Sequence, residues 1–372
     1  MVWTVKSIAD AMNRLAPPTL AMDWDSVGLQ LGSMETPVTK VFVSLDLTEQ
    51  SLAEAMEHRP EMIVIHHPFL FSPLKSIRTD QPQGRMIRQL IQKDVSVFAA
   101  HTNMDIAQGG LNDWVAEKLA LQSPSLLETT AAQALIKLVV FVPEDDADKV
   151  AESLAQAGAG HIGNYSHCSF RSRGTGTFKP LKGANPTIGK LNQLESVSEV
   201  RLETLLPQTN QQQAIQAMLQ AHPYEEVAYD LIKLDQAGTI QGIGRKGKLP
   251  EPQSPIQFIE TLKTLFHLNS LRWVKGRSAA INKVAVLTGS GASAIGTAAA
   301  SGCDALITGD IKYHDAQEAE AQGLHIFDVG HFESEVCFVD IITTYLQQAV
   351  GNEKSPVKII PAQRQKSPIQ VV

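Results

Sequence analysis

Apolar residues recur at Val5, Ile8, Met12 and Leu15, the spacing of one helix face, so residues 4–15 are predicted to form an amphipathic helix. Downstream the pattern alternates. KVFVSLDL (40–47), EMIVIHH (61–67) and VSVFAAH (95–101) are short apolar runs that predict strands. TEQSLAEAMEH (48–58), with Thr48 as its cap, GRMIRQLIQKD (84–94) and GGLNDWVAEKLAL (109–121) carry helical spacing. Strands alternating with helices predict an α/β fold with a mostly parallel sheet.

The pattern changes near residue 122. LIKLVVFVP (135–143), NYSHCSFRS (164–172), SEVRLETLLP (198–207) and EVAYDLIKL (226–234) suggest strands. EDDADKVAESLAQAG (144–158) and QQQAIQAMLQAH (211–222) suggest helices. This β-α-β…β-α-β order is ferredoxin-like (α+β). The first pattern then resumes, with strands predicted at KVAVLTGSG (283–291), CDALITGD (303–310) and LHIFDVG (324–330). Helices are predicted at SPIQFIETLKTLFH (254–267), KYHDAQEAEAQG (312–323) and HFESEVCFVDIITTYLQQA (331–349). The expected organisation is a split α/β domain, residues 1–127 and 238–372, interrupted by a smaller domain at 128–237.

In open α/β sheets, ligands bind beyond the carboxyl ends of the strands. The residues able to do chemistry collect at those ends. His66 and His67 close one strand, His101 and then Asp105 follow the next, and Asp310 closes a third. His331 follows a fourth, and Glu335 shares its helix face at i+4. Adjacent side chains on a regular strand point to opposite faces, so His66 and His67 can share a site only if the strand stops there. Pro68 favours that stop. Three histidines and two carboxylates form an N/O set suited to Zn, Fe(II), Mn, Co or Ni. TGSGAS (288–293), between a strand and a helix, is either a tight turn or an anion-binding loop; no Lys-Ser/Thr follows it as in a phosphate loop.

Composition narrows the function classes. Apolar residues make up 43% of the 372 residues and charged residues 19%, an ordinary globular balance. Thirty-two Lys and Arg against 39 Asp and Glu give a formal charge of −7 with no basic block, which argues against a nucleic-acid surface. No apolar run approaches the ~18 residues a membrane helix needs. Cys168, Cys303 and Cys337 are scattered and odd in number, which suggests a reducing, cytoplasmic setting.

WDSVGLQLG (24–32), IVIHHPFLF (63–71), AAHTNMDIAQGGLND (99–113), LITGDIKYHDAQEA (306–319) and DVGHFESE (328–335) together resemble one family. It is that of the dinuclear-metal proteins labelled GTP cyclohydrolase 1 type 2 homologs, also called NGG-interacting-factor-three-like proteins. The insert, with GHIGNYSHCSF (160–170) and HPYEEVAYDL (222–231), resembles that of the longer bacterial members and, in outline, ferredoxin-like trimer modules of signalling and metal tolerance. The resemblance places the metal ligands on His66, His67, Asp105, His331 and Glu335, and implies two divalent ions per chain and a homohexameric ring with a nucleotide or other small-molecule ligand. The function expected is metal-dependent hydrolysis of a nucleotide or related heterocycle, since a bound divalent ion lowers the pKa of water from 15.7 to about 7. His101, Asp310 and His314 are the candidate proton carriers, each equally able to orient a ligand imidazole. Lys312 or the backbone of Gly289 to Gly291 is a candidate phosphate contact. The rival expectation is a non-enzymatic metal chaperone or effector-binding regulator, in which His161, Tyr165, His222 and Glu225 of the insert would matter more.

Overall fold

The computed structural model describes residues 2–351 and 357–370. The chain forms two compact units, residues 1–130 with 241–372 and residues 131–240.

In the larger unit, α1 (Val5–Leu15) is capped by Thr4, whose Oγ1 accepts from Ser7 N while Thr4 N donates to Ser7 Oγ. Such caps contribute about 1 kcal/mol. β1 (Gly28–Leu31), β2 (Lys40–Ser44), α2 (Glu49–His58), β3 (Met62–Ile65), α3 (Pro82–Gln92), β4 (Ser96–Ala99), α4 (Thr102–Ile106), α5 (Leu111–Lys118) and β5 (Gln122–Pro143) follow. The chain then passes through the smaller unit, as α6 (Ala147–Gln156), β6 (Ser169–Phe178), β7 (Glu195–Pro207), α7 (Gln211–Ala221) and β8 (Tyr229–Gln253). It returns to the larger one as α8 (Pro255–Phe266), β9 (Arg272–Val274), β10 (Ile281–Ser290), α9 (Ile295–Ala300), β11 (Ala305–Gly309), α10 (Tyr313–Gln322), β12 (His325–Asp328), α11 (His331–Glu335), α12 (Cys337–Val350) and β13 (Lys358–Pro361).

The larger unit contains two sheets rather than one. The first has the order β1-β4-β3-β2-β13, parallel except for β1. In the second, β10, β11 and β12 run parallel, flanked by antiparallel β8 and β9. The strands are wholly apolar because both faces are covered: Val41, Val43, Met62 and Val64 pack under α1 and α12, while Phe42, Ile63, Ile65 and Val97 pack on the opposite side.

The smaller unit has the order β8-β5-β7-β6, the ferredoxin-like arrangement expected. Leu138, Val140, Val142, Leu202 and Leu206 pack against Val150 and Leu154 of α6 and Met218 of α7. Here the strands outgrow the sequence reading. β5 begins at Gln122, and β8 extends to Gln253 through QAGTIQGIGRKG. Few of the added positions are buried apolar side chains: in β8 the buried ones are mostly Gly242, Gly244, Arg245 and Gly247, so burial there leaves no hydrophobic alternation in the sequence.

Candidate metal centre

His66 and His67 occupy the point where β3 stops. The N–H groups of both residues converge on one carbonyl, Leu45 O, at 3.0 and 3.2 Å. A regular ladder would alternate; the doubled bond shows the chain turning, and the two rings come within 4.9 Å of each other instead of facing opposite sides. His101 follows β4 with non-helical dihedrals before α4, and Asp105 lies on α4. Both His331 and Glu335 come from the single turn of α11 after β12.

Four imidazoles converge here, each fixed through Nδ1. His66 Nδ1 donates to Ala100 O at 2.7 Å, and His67 Nδ1 to Asp46 Oδ1 at 2.7 Å. His101 Nδ1 donates to Asp25 Oδ1 at 2.8 Å, and His331 Nδ1 to Asp310 Oδ2 at 2.6 Å. A carbonyl or carboxylate at Nδ1 keeps the proton there and leaves Nε2 with a free lone pair, the arrangement by which proteins aim histidine ligands.

The Nε2 atoms meet two buried carboxylates. His66 Nε2 lies 3.7 Å from Asp105 Oδ1 and 3.8 Å from Glu335 Oε1. Glu335 Oε2 lies 2.9 Å from His67 Nε2 and 3.0 Å from His331 Nε2, which are 3.2 Å from each other. Three sets of donor atoms each fall within 4.8 Å: His66, His67 and His101; His67, His331 and Glu335; His66, Asp105 and Glu335. His66 Nε2, Asp105 Oδ1 and Glu335 Oε2 are buried and, among the described residues, have no partner outside this cluster. Lone pairs packed this closely repel unless protons or cations lie among them. The donor set is one that could hold a divalent cation.

The electrostatics agree. Burial pushes the His67 pKa down, but hydrogen bonds to Asp46 and Glu335 outweigh it and hold the pKa at about 10. His331 stands at about 9, raised mainly by its hydrogen bond to Glu335. Burial drives Asp105 up to about 7 against the pull of His66, with Glu335 adding to the rise. Burial acts the same way on Glu335, yet hydrogen bonds from His331, His66 and His67 hold its carboxyl well below the usual range. A site that draws protons this strongly also draws metal cations, which take the same lone pairs.

Supporting residues escaped the sequence reading. Asp46 and Asp25 were not singled out, although Asp46 follows the end of KVFVS and Asp25 sits inside WDSVGLQLG. Asp25 also accepts from Thr102 N and Oγ1, at 3.0 and 2.5 Å, so it fixes both His101 and the start of α4. Burial alone would raise its pKa; the bonds from His101 and Thr102 bring it down to about 2. In the same motif Gln30 Oε1 accepts from Leu70 N at 2.9 Å, fastening the segment after His67.

The other candidates fall in varied places. Asp310 holds the outer nitrogen of His331. His314 is exposed on α10, bonds Gln317 at 3.1 Å and belongs to none of the three donor sets. Lys312 N caps α10 through Asp315. The TGSGAS turn serves the centre directly: Gly289 N donates to Ser334 Oγ at 2.9 Å, and Ser334 Oγ to His331 O at 2.8 Å. In the smaller unit, His222 is a satisfied corner, with Nε2 donating to Phe141 O and Nδ1 accepting from Tyr224 N.

Fold and site together define a split α/β protein with a metal-capable His/Asp/Glu centre. The sequence profile of the Duf34/NIF3 (NGG1p interacting factor 3) family matches residues 3–368, and the chain belongs to that family. It is 43% identical to the GTP cyclohydrolase 1 type 2 homolog of Halalkalibacterium halodurans, over 88% of each chain. It is 40% identical to that of Bacillus subtilis, over 98% of this chain and 97% of the other. A solved Bacillus cereus protein related to NIF3 superposes with a TM-score of 0.89 at 42% identity, covering 100% of both chains. Among the described residues no helix is long and apolar enough to cross a membrane.

Proposed function

We propose that the protein binds two divalent metal ions per chain and hydrolyses a nucleotide or related heterocycle, in keeping with the GTP cyclohydrolase name its relatives carry. One observation carries the reading: four imidazoles, each held at Nδ1 by an outer acceptor, direct Nε2 toward two buried carboxylates. Glu335 divides the donors into two sets, Oε1 facing His66 and Oε2 facing His67 and His331. His66 and Asp105 would hold one ion and His67 and His331 the other, with Glu335 common to both and His101 joining from beside His66 and His67.

The ions would supply water with a pKa lowered to about 7. The chain's own residues do the rest. Asp46, Asp25 and Asp310 hold the Nδ1 protons and fix the rings. The working assembly we infer is a cytoplasmic homohexameric ring.

The test is metal analysis of the purified native protein, mass measurement of the assembly, and turnover assays on a panel of purine nucleotides before and after chelation. Two ions per chain with turnover abolished by chelation is the expected result. Two ions with no turnover on the panel would leave a metal-holding protein and overturn the hydrolase.

A further inference from the structure

The smaller unit contains a hollow that the metal centre does not use. Along β7, Leu202 and Leu206 point into the core with α6 and α7, so Glu199 and Arg201, at odd-numbered positions, point to the other face of the sheet. Their partners on β6 are Gly174 and Ser172. A Cβ on Gly174 would meet nothing within 4 Å, whereas one on Gly176 would fall 2.0 Å from Glu199 Oε2. The two glycines therefore clear the surface, and the second lets the Glu199 carboxylate lie flat across the strand. The result is a cavity of about 560 Å3, within the range of small-molecule sites.

Its walls combine aromatic and other apolar surface with charged groups of both signs, among them Arg173, Lys179, Glu225 and Glu226. Phe178 and Tyr224 stand with ring centroids 5.9 Å apart. Pro186 and the segment around it form the opposite rim. That rim is anchored: Asn185 N donates to Glu225 Oε2 at 2.8 Å and Thr187 Oγ1 to Pro223 O at 2.7 Å.

Glu199 is the informative residue. It is 9% exposed, and Tyr224 Oη donates to its Oε1 at 2.9 Å. Burial and that bond hold the Tyr224 phenol well above its ordinary pKa, so it remains a donor. Among the described residues no donor reaches Glu199 Oε2. The nearby Arg201 is already paired with Glu203. Oε2 thus faces the open hollow, free to accept a hydrogen bond from whatever enters it, and a carboxylate accepts such bonds more strongly than a neutral group does.

We propose that this hollow is a ligand site for a small planar ring whose edge presents paired N–H donors, as an amidine or a guanine edge does. The ring lies against the tilted pair of Phe178 and Tyr224, and its donors meet Glu199. The site lies wholly within residues 131–240 and does not depend on the hydrolase reading.

Calorimetric titration of the full chain with benzamidine and with guanosine tests it, with benzoate as the acceptor-edged control. Saturable binding of benzamidine at about 1 mM or tighter is expected, and none of benzoate. Glu199→Gln should weaken binding about 10-fold, since a charge-assisted bond is lost. Ala184→Trp, on the exposed rim, should block the hollow without touching the core. Metal-free protein should bind equally well, which separates this site from the metal centre. No saturable binding of benzamidine or guanosine, equal binding of benzoate, or binding unchanged in both variants would overturn the proposal.

Discussion

Gly289 lies directly against Glu335: a Cβ on this glycine would fall 2.1 Å from Glu335 Oε1. Its φ of +69° also suits glycine alone. The end of β10 is thus shaped by the carboxylate it makes room for. Gly289→Ala should push Glu335 out of the cluster and add backbone strain of about 1–2 kcal/mol. Bound metal per chain should fall while far-UV circular dichroism stays native. Full metal content in this variant would show that Glu335 is not held where the ions bind.

Glu335 itself should matter more to the ions than to folding. Glu335→Gln keeps the shape and removes the charge facing His66, His67 and His331. The expected loss is 10-fold or more in affinity for at least one ion, by analogy with outer-partner losses of about 10–100-fold. Metal-dependent hydrolysis should vanish with it. The competing account is that Glu335 merely favours the positive end of its helix, worth roughly 0.3–1 kcal/mol. Unchanged metal content with a slightly lower Tm would favour that account.

Asp46 and Asp310 act through the imidazoles they hold. Asp46→Asn and Asp310→Asn remove the negative charge behind His67 and His331, leaving rings that can rotate and Nε2 atoms that are less basic. Each should lower metal affinity about 10–100-fold without changing the ions bound at saturation. Competition against a chromogenic chelator measures this. Affinity equal to the parent in both variants would reduce the two aspartates to surface ion pairs.

How much of this was legible in the chain follows from which forces leave a local trace. His66, His67, Asp105, His331 and Glu335 could be read because strand ends are marked by apolar runs, and those runs are buried on both faces. Asp46 and Asp25 could not, because a lone aspartate after a strand or in a loop looks like a turn residue until its partner, 21 or 76 positions away, is known. The second sheet was hidden for the same reason: strand spacing reveals strands, not which of them pair. The outer reaches of β5 and β8 were missed because their buried positions are largely glycines and Arg245 rather than apolar side chains, so the burial leaves no hydrophobic pattern to read.

Cutting out the smaller unit should leave the centre intact. All the proposed ligands and their orienting aspartates lie in residues 1–130 and 241–372. A chain in which residues 131–240 are replaced by a short Gly/Ser linker should fold and keep its metal. A soluble, folded product without metal would mean that the insert contributes to the centre.

The last expectation concerns pH, and its sign differs with and without metal. In the metal-free protein His67 and His331 have pKa values of about 10 and about 9, above the ordinary 6.5. The folded state therefore binds these protons more tightly than the unfolded state. Their stabilisation is fully present below pH 6.5 or so and is lost as pH rises through 9 and then 10. Asp105, raised from 3.8 to about 7, works against stability in its ionised form, so its cost appears as pH rises above 3.8 and is complete above 7. Up to about pH 7 both effects, and from there to 10 the histidines alone, make the metal-free protein less stable as pH rises. Metal binding has the opposite slope, because a cation must displace the protons on the same Nε2 atoms and does so more easily as they become scarce. The rise in Tm on adding Zn2+ or Mn2+ should therefore grow steadily from pH 6 to pH 9. Scanning calorimetry with and without metal across that range measures both slopes, and a metal-induced rise in Tm that stayed constant with pH would show that the ions bind away from these histidines.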